Sequence, residues 1–403
     1  MIKSAPRQAF CGGASFIKRR KNMKCIVNGR LVLSDRVVEG MVIVFGEKIE
    51  AIAPACELDP SKYDVIDANG RYVAPGLVDI HIHGYLGEDV SDGTAEGIEK
   101  MARGIAENGV TSWCPTTMTV SKGEIEAAFN AARKLRASDE YYGARIVGVN
   151  AEGPFINESK KGAQAAEHIL SPDASFIINN ADIVKLVTIA PEVDGALEAI
   201  KKISEDGRVT VSMGHTNATF EEACAGIDAG VRNTTHLFNA MTALAHRNPG
   251  VVGAALSSDE VSCELIADTF HVSKGLFSLV SRIKGDKLCL ITDCMRAGGM
   301  PDGDYTLGGQ PVHKEGIKCL LPDGTIAGSV LRLNEAVYNL YSNTELPIEK
   351  AVAAASINPA TVVGADAEIG SLEVGKRADI IIADDKFSID LTVIGGEIRY
   401  KRG

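Results

Sequence analysis

Short apolar runs alternate with amphipathic stretches through the middle of the chain. Segments with helical periodicity, such as 122–135 and 220–229, separate runs that have the length of buried strands. There are eight such runs, at residues 77–82, 111–115, 145–151, 184–189, 209–213, 234–237, 262–267 and 288–292. Strands that alternate with helices form parallel β/α units, so the pattern predicts an α/β fold with a (β/α)8 barrel of the TIM type.

The two ends of the chain have a different pattern. Short β-like runs separated by turns fill residues 25–67, and the same texture returns over residues 371–400. We therefore predict one small β-sandwich domain, built from residues 23–75 and 366–403, beside a barrel that spans residues 76–365. Residues 1–22 contain a basic run at 18–21 but no apolar segment, so we expect a disordered extension and not a secretory signal.

Composition excludes some classes of protein but does not indicate a function. The chain has 403 residues, with 42 Lys and Arg against 53 Asp and Glu, and hence a net charge of −11. This balance argues against nucleic acid and anionic membranes as partners, and no apolar run reaches the roughly 18 residues of a membrane span. Nine cysteines without a C-x-x-C pair indicate reduced thiols and a cytoplasmic protein.

Polar residues with ligand chemistry follow the predicted strands. His81 and His83 close the first run, and residues i and i+2 of a strand point to the same face. Glu152, His215 and His236 stand at the ends of the third, fifth and sixth runs. Because the C-terminal ends of barrel strands share one rim, we expect these five side chains to meet there.

These residue types predict a catalytic metal centre. Glu152, His215 and His236 would supply three ligands and leave a position open for water, as in catalytic zinc sites. His81 and His83 would complete a second, adjacent site that shares Glu152. We expect one or two divalent ions per chain, with zinc favoured and iron or manganese also compatible with nitrogen and carboxylate ligands.

Asp293 leaves the eighth strand at the same rim, where a carboxylate can act as general base towards an attacking water. A turn or helix-cap aspartate is the ordinary alternative, and the rim position favours the catalytic interpretation. Other chemistries lack their motifs, since the chain contains neither a G-x-S-x-G elbow nor a G-x-x-x-x-G-K-[ST] phosphate loop.

An anionic group on the substrate would need a local basic site in this acidic protein. Arg247 and His246, on the loop after the sixth run, are the best candidates, and Arg296 is a weaker one. Backbone N–H groups around Asn239 and Ala240 would add donors for a phosphate. A single loop arginine is more often a solvated surface charge.

Six segments together resemble the amidohydrolase superfamily. They are D-I-H-I-H-G at 79–84, E-G-P-F at 152–155, G-H-T at 214–216, T-H-L-F-N-A-M at 235–241, T-D at 292–293 and G-K-R-A-D at 375–379. The second and fourth are similar to a narrower family that deacetylates amino sugar phosphates. The resemblance runs from about Met23 to the C terminus. It implies metal-dependent hydrolysis of the acetamido group of N-acetylglucosamine 6-phosphate in amino sugar catabolism.

The resemblance also implies roles for individual residues. Glu152, His215 and His236 match the principal metal ligands, the pair His81 and His83 matches the first-strand ligands, and Asp293 matches the catalytic acid and base. In the family, an arginine at the position of Arg247 reaches the phosphate bound by the neighbouring subunit of a homodimer. The positions that match substrate-binding residues are Ala163, Gln164, Asn239, Ala240, Arg247, His271, Ile326, Ala327 and Gly328, of which Asn239 and Ala240 match phosphate contacts and His271 a sugar contact.

Two positions depart from the family pattern. Gln164 stands where histidine is common, and glutamine can form hydrogen bonds but cannot carry charge. Asn248 stands where an acidic residue is common. The first departure keeps open deacetylation of N-acetylgalactosamine 6-phosphate, or another amidohydrolase reaction such as cyclic amide hydrolysis or deamination. The intact Asp293 and the complete ligand set argue against a third hypothesis, a non-catalytic binding scaffold.

Overall fold

A computed structural model describes residues 23–138 and 141–403 of the chain. The predicted extension at residues 1–22 lies outside the described residues. Within the described part, no helix is both long and apolar enough to cross a membrane.

The strands of the described residues are, in chain order, β1 (Lys24–Val27), β2 (Arg30–Val32), β3 (Val37–Val38), β4 (Met41–Phe45), β5 (Ile49–Pro54), β6 (Asp64–Asp67), β7 (Tyr72–Pro75), β8 (Leu77–Ile82), β9 (Gly84–Tyr85), β10 (Glu88–Asp89), β11 (Val110–Thr117), β12 (Arg145–Ile146), β13 (Val149–Phe155), β14 (Val184–Ile189), β15 (Thr210–Met213), β16 (Val231–Thr234), β17 (Ser262–Ile266), β18 (Leu288–Ile291), β19 (Gly303–Leu307), β20 (Gln310–Glu315), β21 (Lys318–Leu320), β22 (Ile380–Ala383), β23 (Ile389–Ile394) and β24 (Glu397–Lys401).

The α-helices are α1 (Ala95–Ala106), α2 (Lys122–Arg136), α3 (Ala174–Asn179), α4 (Ala196–Asp206), α5 (Phe220–Ala229), α6 (Gly250–Ser257), α7 (Phe277–Lys284), α8 (Leu333–Ser342), α9 (Ile348–Ala354) and α10 (Ile357–Val362). Local sequence explains where two of them begin. Ser121 and Glu124 form a capping box that starts α2, and Thr219 and Glu222 do the same for α5. The predicted bounds of these two helices agree with the structure to within one residue.

Eight parallel strands form the barrel that positions the site. Their order is β8-β11-β13-β14-β15-β16-β17-β18, and each pairing along it is parallel. A parallel bridge between Ile82 and Cys294, together with a hydrogen bond from the Thr292 hydroxyl to Asp79, joins the last strand to the first. The prediction of a (β/α)8 barrel is therefore confirmed.

The small domain combines both ends of the chain. One sheet has the order β5-β4-β1-β6, and the other, β24-β23-β22-β7-β2-β3, mixes N-terminal and C-terminal strands. Ile26 and Phe45 from the first sheet pack with Val73, Ile380 and Val393 from the second in one buried core. This confirms a small two-sheet domain built from both termini, while its predicted boundaries at residues 23–75 and 366–403 stay a prediction.

Two barrel strands differ from the predicted runs. The sixth strand is β16, three residues earlier than the predicted run at 234–237, because the buried Asn233 donates to Glu264 at 2.8 Å and so fits into the core. The third run is divided into β12 and β13, and Glu152 lies within β13 and not after it. The apolar pattern alone did not show either feature, because in both places polar side chains are buried inside the barrel.

Candidate active site

The first histidine pair stands at the end of β8, with His81 in the strand and His83 one residue past it. His81 and His83 are 0% and 2% exposed, and their Nε2 atoms lie 3.2 Å apart on one face of the strand. The other ring nitrogen of each is also engaged. Nδ1 of His81 lies 2.9 Å from an oxygen of the buried Glu264, and Nδ1 of His83 donates to the backbone oxygen of Thr116 at 3.2 Å.

The second pair stands on loops and not on a strand. His215 follows β15 and His236 follows β16, each two residues past the end of its strand, and their Nε2 atoms lie 3.1 Å apart. Both have left-handed backbone, with φ of 46° and 31°. Non-glycine residues keep this conformation only where neighbours hold it. Here the N–H of Asn157 donates to the His215 oxygen at 2.9 Å, and Glu264 accepts from the His236 N–H at 3.1 Å.

Glu152 joins the two pairs. Its Oε1 lies 3.2 Å from Nε2 of His215, 3.0 Å from Nε2 of His236 and 3.2 Å from Nε2 of His81. Its Oε2 lies 3.2 Å from Nε2 of His83. One buried carboxylate thus contacts four imidazole rings, and its burial is offset by their charge, which holds the pKa of Glu152 well below its usual range.

The hydrogen bonds of two of these rings determine which nitrogen faces Glu152. A carbonyl oxygen only accepts, so Nδ1 of His83, towards Thr116, and Nδ1 of His215, towards Lys160 at 2.9 Å, must carry the protons. In their neutral form both rings then present an Nε2 lone pair to the Glu152 carboxylate. Positive charge must therefore lie between these nitrogens and the carboxylate, supplied either by a proton on Nε2 or by a metal ion in its place.

The donor atoms fit a divalent metal. Two groups of three have their ligand atoms within 4.8 Å of one another, namely His81 with His83 and Glu152, and Glu152 with His215 and His236. Imidazole nitrogen together with carboxylate oxygen is the ligand chemistry of catalytic zinc and of related first-row metals. The residues that the sequence predicts as ligands therefore lie together in the structure.

Asp293 faces this cluster from a position two residues past the last barrel strand, β18. It has a φ of 49°, and its Oδ1 lies 3.3 Å from Nε2 of His83 and 3.7 Å from Nε2 of His81. Burial alone would raise the pKa of Asp293, but the hydrogen bond from His83 and the charges of both rings outweigh burial and lower it. The carboxylate is therefore ionised at neutral pH and able to accept a proton.

The cluster opens into a cavity of about 360 Å³. This volume suits a small organic ligand. The cavity is lined by His83, Met118, Glu152, Ser159, Lys160, Gly162, Ala163, Gln164, His215, His236, Asn239, Ala240, His271, Asp293, Leu307, Thr325, Ile326 and Gly328.

Comparison with known proteins places the chain among enzymes. The sequence pattern of the Amidohydrolase family matches residues 72–399. N-acetylglucosamine-6-phosphate deacetylase of Bacillus subtilis (strain 168) is 35% identical over 92% of this chain and 95% of the relative. The chain belongs to the amidohydrolase family. N-acetylgalactosamine-6-phosphate deacetylase of Escherichia coli O157:H7 is also 35% identical, over 85% of this chain and 91% of the relative.

A solved amidohydrolase has the same fold over nearly its whole length. The crystal structure of N-acetylglucosamine-6-phosphate deacetylase from Pasteurella multocida superimposes with a TM-score of 0.88 at 31% identity. The match covers 93% of this chain and 99% of that structure.

Most of the predicted substrate-binding residues of this amidohydrolase line the cavity. Ala327 and Arg247 do not: Ala327 is fully buried between the lining residues Ile326 and Gly328, and Arg247 is exposed on the loop after β16. Arg296, the weaker anion candidate, is bound to Asp92 at 2.9 Å and is also absent from the lining.

Gln164 lines the cavity, but its amide is already used within the protein. Its nitrogen donates to Oε2 of Glu152 at 2.6 Å, and its oxygen accepts from the backbone N–H of Thr119 at 2.6 Å. These two bonds assign the orientation of the amide. One N–H remains for a ligand, so Gln164 positions a candidate metal ligand besides facing the cavity.

Two buried carboxylates beside the site do not appear among the predicted residues. Glu264, on β17, holds His81, and Asp268 holds Nδ1 of His271 at 2.6 Å. Burial lowers the pKa of His271, but the hydrogen bond and charge of Asp268 outweigh it, and the pKa is raised. A signal for Glu264 was present, because a charged residue inside an otherwise apolar run needs a buried partner.

Proposed function

We propose that this chain hydrolyses the acetamido group of N-acetylglucosamine 6-phosphate to glucosamine 6-phosphate and acetate. The observation that carries the proposal is Asp293, an ionised carboxylate 3.3 Å from a cluster of imidazoles and Glu152 in a ligand-sized cavity. The names of the two relatives and of the solved structure support acetyl removal from an amino sugar phosphate.

Glu152, His215 and His236 would hold the principal divalent ion, and His81 and His83 would hold a second that shares Glu152. We propose zinc as this metal, while iron and manganese remain compatible with the ligand set. When bound, the metal polarises the acetyl carbonyl and lowers the pKa of water.

The chain's own residues would carry the proton and orient the sugar. Asp293 accepts a proton from the attacking water as the new C–O bond forms, and returns it to the amine nitrogen as the amide C–N bond breaks. His271, whose Nδ1 is held by Asp268, would hydrogen-bond the sugar. Asn239 and Ala240, on the loop after β16, would contact the phosphate.

The direct test is acetate release from N-acetylglucosamine 6-phosphate by purified protein loaded with zinc. We expect stoichiometric acetate and glucosamine 6-phosphate, and loss of both products when a chelator removes the metal. Absence of acetate from protein with a full complement of metal would refute the proposal.

The relative that acts on the galactose epimer supports a second candidate substrate. N-acetylgalactosamine 6-phosphate differs at one hydroxyl, and the two deacetylases are equally similar to this chain at 35% identity. Comparison of kcat/KM for the two epimers decides between them. A larger value for the galactose epimer would replace the first substrate and leave the reaction unchanged.

We further propose that the enzyme is a cytoplasmic homodimer in which Arg247 reaches the neighbouring cavity. Arg247 is exposed and stands outside its own cavity, and the described cysteines are free thiols. Subunit mixing tests the dimer, because an Arg247→Gln subunit would borrow the arginine of an Asp293→Asn subunit. Re-associated mixtures should regain about a quarter of wild-type activity, whereas no recovery would contradict the shared site. Cell fractionation checks the location.

A further inference from the structure

We propose that Lys160 binds the phosphate group of the substrate from within the same chain. Each cavity would then carry its own phosphate-binding cation in addition to any arginine from a partner. This inference rests on the proposed function and names the residue that recognises the anionic end of its substrate.

The backbone places Lys160 at the cavity wall. It ends a short 3-10 turn, Glu158–Lys160, on the loop after β13, the strand that carries Glu152. The backbone oxygen of Lys160 accepts the hydrogen bond from Nδ1 of His215 at 2.9 Å, which ties this turn to the candidate metal cluster. The side chain is half-buried and lines the cavity.

Lys160 is the only lysine or arginine among the described residues that line this cavity. Its ammonium makes one long hydrogen bond, 3.5 Å to the backbone oxygen of Met241, and no carboxylate of the described residues forms an ion pair with it. The neighbouring Lys161 differs, since it does not line the cavity and its ammonium lies near the backbone oxygens of Gly162 and Gln164. A half-buried ammonium with so little compensation is available to an anionic ligand.

The surroundings of Lys160 favour an oxyanion. The contact with Met241 brings the ammonium next to the loop that holds Asn239 and Ala240, and both of these residues line the cavity, as does Ser159. The Ser159 hydroxyl and the Asn239 amide already donate to Asn157 and to backbone oxygens, so the Lys160 ammonium is the donor with the most capacity left on this side. Another part of the wall is apolar, where Leu307 and Met118 are each 2% exposed. A phosphate bound with its sugar in this cavity would turn to the donors.

Phosphate recognition would then have two sources, Lys160 of the same chain and an arginine of the partner. Arg247 stands outside its own cavity, so a chain without a partner arginine would still distinguish phosphorylated from free sugar through Lys160. Loss of Lys160 would remove part of that discrimination in every subunit, whatever the state of assembly.

The experiment compares Lys160→Gln with Lys160→Arg, using the holoenzyme. The matched control is Lys201→Gln, which removes the same charge from an exposed position on α4. We expect Lys160→Gln to lower kcat/KM for N-acetylglucosamine 6-phosphate about 10- to 100-fold, chiefly through KM, the range for a charged hydrogen bond. Turnover of N-acetylglucosamine without phosphate should fall by a clearly smaller factor. Lys160→Arg should retain most of the phosphate preference, and Lys201→Gln should behave as wild type.

Titration calorimetry with glucosamine 6-phosphate and with glucosamine provides a readout that does not depend on turnover. Weaker binding of only the phosphorylated sugar to Lys160→Gln supports the inference. Unchanged binding, or an equal loss for both sugars, overturns it, because a merely structural lysine would not distinguish them. If the wild-type enzyme releases no acetate, the proposed function fails, while the calorimetric comparison still decides the role of Lys160.

Discussion

The two histidine pairs share Glu152 but are held in different ways. His81 lies in strand β8 and His83 one residue past its end; both are almost without exposure and face Asp293. His215 and His236 sit beyond the ends of their strands, on left-handed backbone. The backbone of the first pair is therefore ordinary, whereas that of the second stores strain of about 1–3 kcal/mol per residue, which the surrounding hydrogen bonds must offset.

The rings also differ in what holds their second nitrogen. Nδ1 of His81 meets the side chain of Glu264, whereas Nδ1 of His83 and Nδ1 of His215 each meet a backbone oxygen. Nδ1 of His236 is buried without a protein partner among the described residues. A carboxylate behind an imidazole makes it a stronger ligand, so His81 should be the ring that depends most on the residue behind it.

Replacement of Asp293 tests whether the carboxylate that faces His81 and His83 is the general base. Asp293→Asn keeps the shape of the side chain but cannot accept the proton. We expect kcat to fall about 100- to 10,000-fold, with metal content unchanged. Steady-state kinetics and elemental analysis of the same preparation measure both, and a variant with near wild-type turnover would exclude Asp293 as the base.

Removal of one pair at a time separates the two candidate metal sites. In His81→Gln with His83→Asn, metal content should fall from about two to about one ion per chain, because only the Glu152, His215 and His236 group remains. The matched change, His215→Gln with His236→Asn, should abolish activity. Elemental analysis checks the first result, and an unchanged metal content would show that the β8 pair holds no ion.

Replacement of Glu264, behind His81, tests the difference between the pairs with a smaller change. Glu264→Gln retains an oxygen that can accept from His81 but removes the buried carboxylate. We expect metal affinity to weaken about 10- to 100-fold, measured by competition with a chromogenic chelator. Thermal unfolding of the metal-free protein serves as the control. A variant that loses stability but keeps the wild-type metal affinity would show that Glu264 has only a structural role.

Gln164 is expected to give the smallest effect. In Gln164→His, the ring cannot span both Glu152 and the Thr119 N–H as the amide does, so one of the two hydrogen bonds is lost. We expect the free energy of unfolding to fall by about 1 kcal/mol, measured by urea denaturation with metal removed. A more stable variant would show that the amide is strained in its present contacts.

Local sequence pattern alone was sufficient to predict the barrel and the shared orientation of the first histidine pair. Alternation of apolar runs with amphipathic segments predicts parallel β/α units, and a two-residue period places His81 and His83 on one face. The six segments that resemble the amidohydrolase superfamily were sufficient to predict the family. These features depend on residues close together in sequence, where backbone geometry determines the direction of each side chain.

Distances within the site depended on how the barrel closes. Glu152 and His236 are 84 positions apart, and their 3.0 Å contact follows from strand order and register, which no local period encodes. The same is true of Glu264 behind His81, 183 positions away, and of Lys160 at the cavity wall. Sequence periodicity specifies which way a side chain points from its own strand, and only tertiary packing specifies what it meets there.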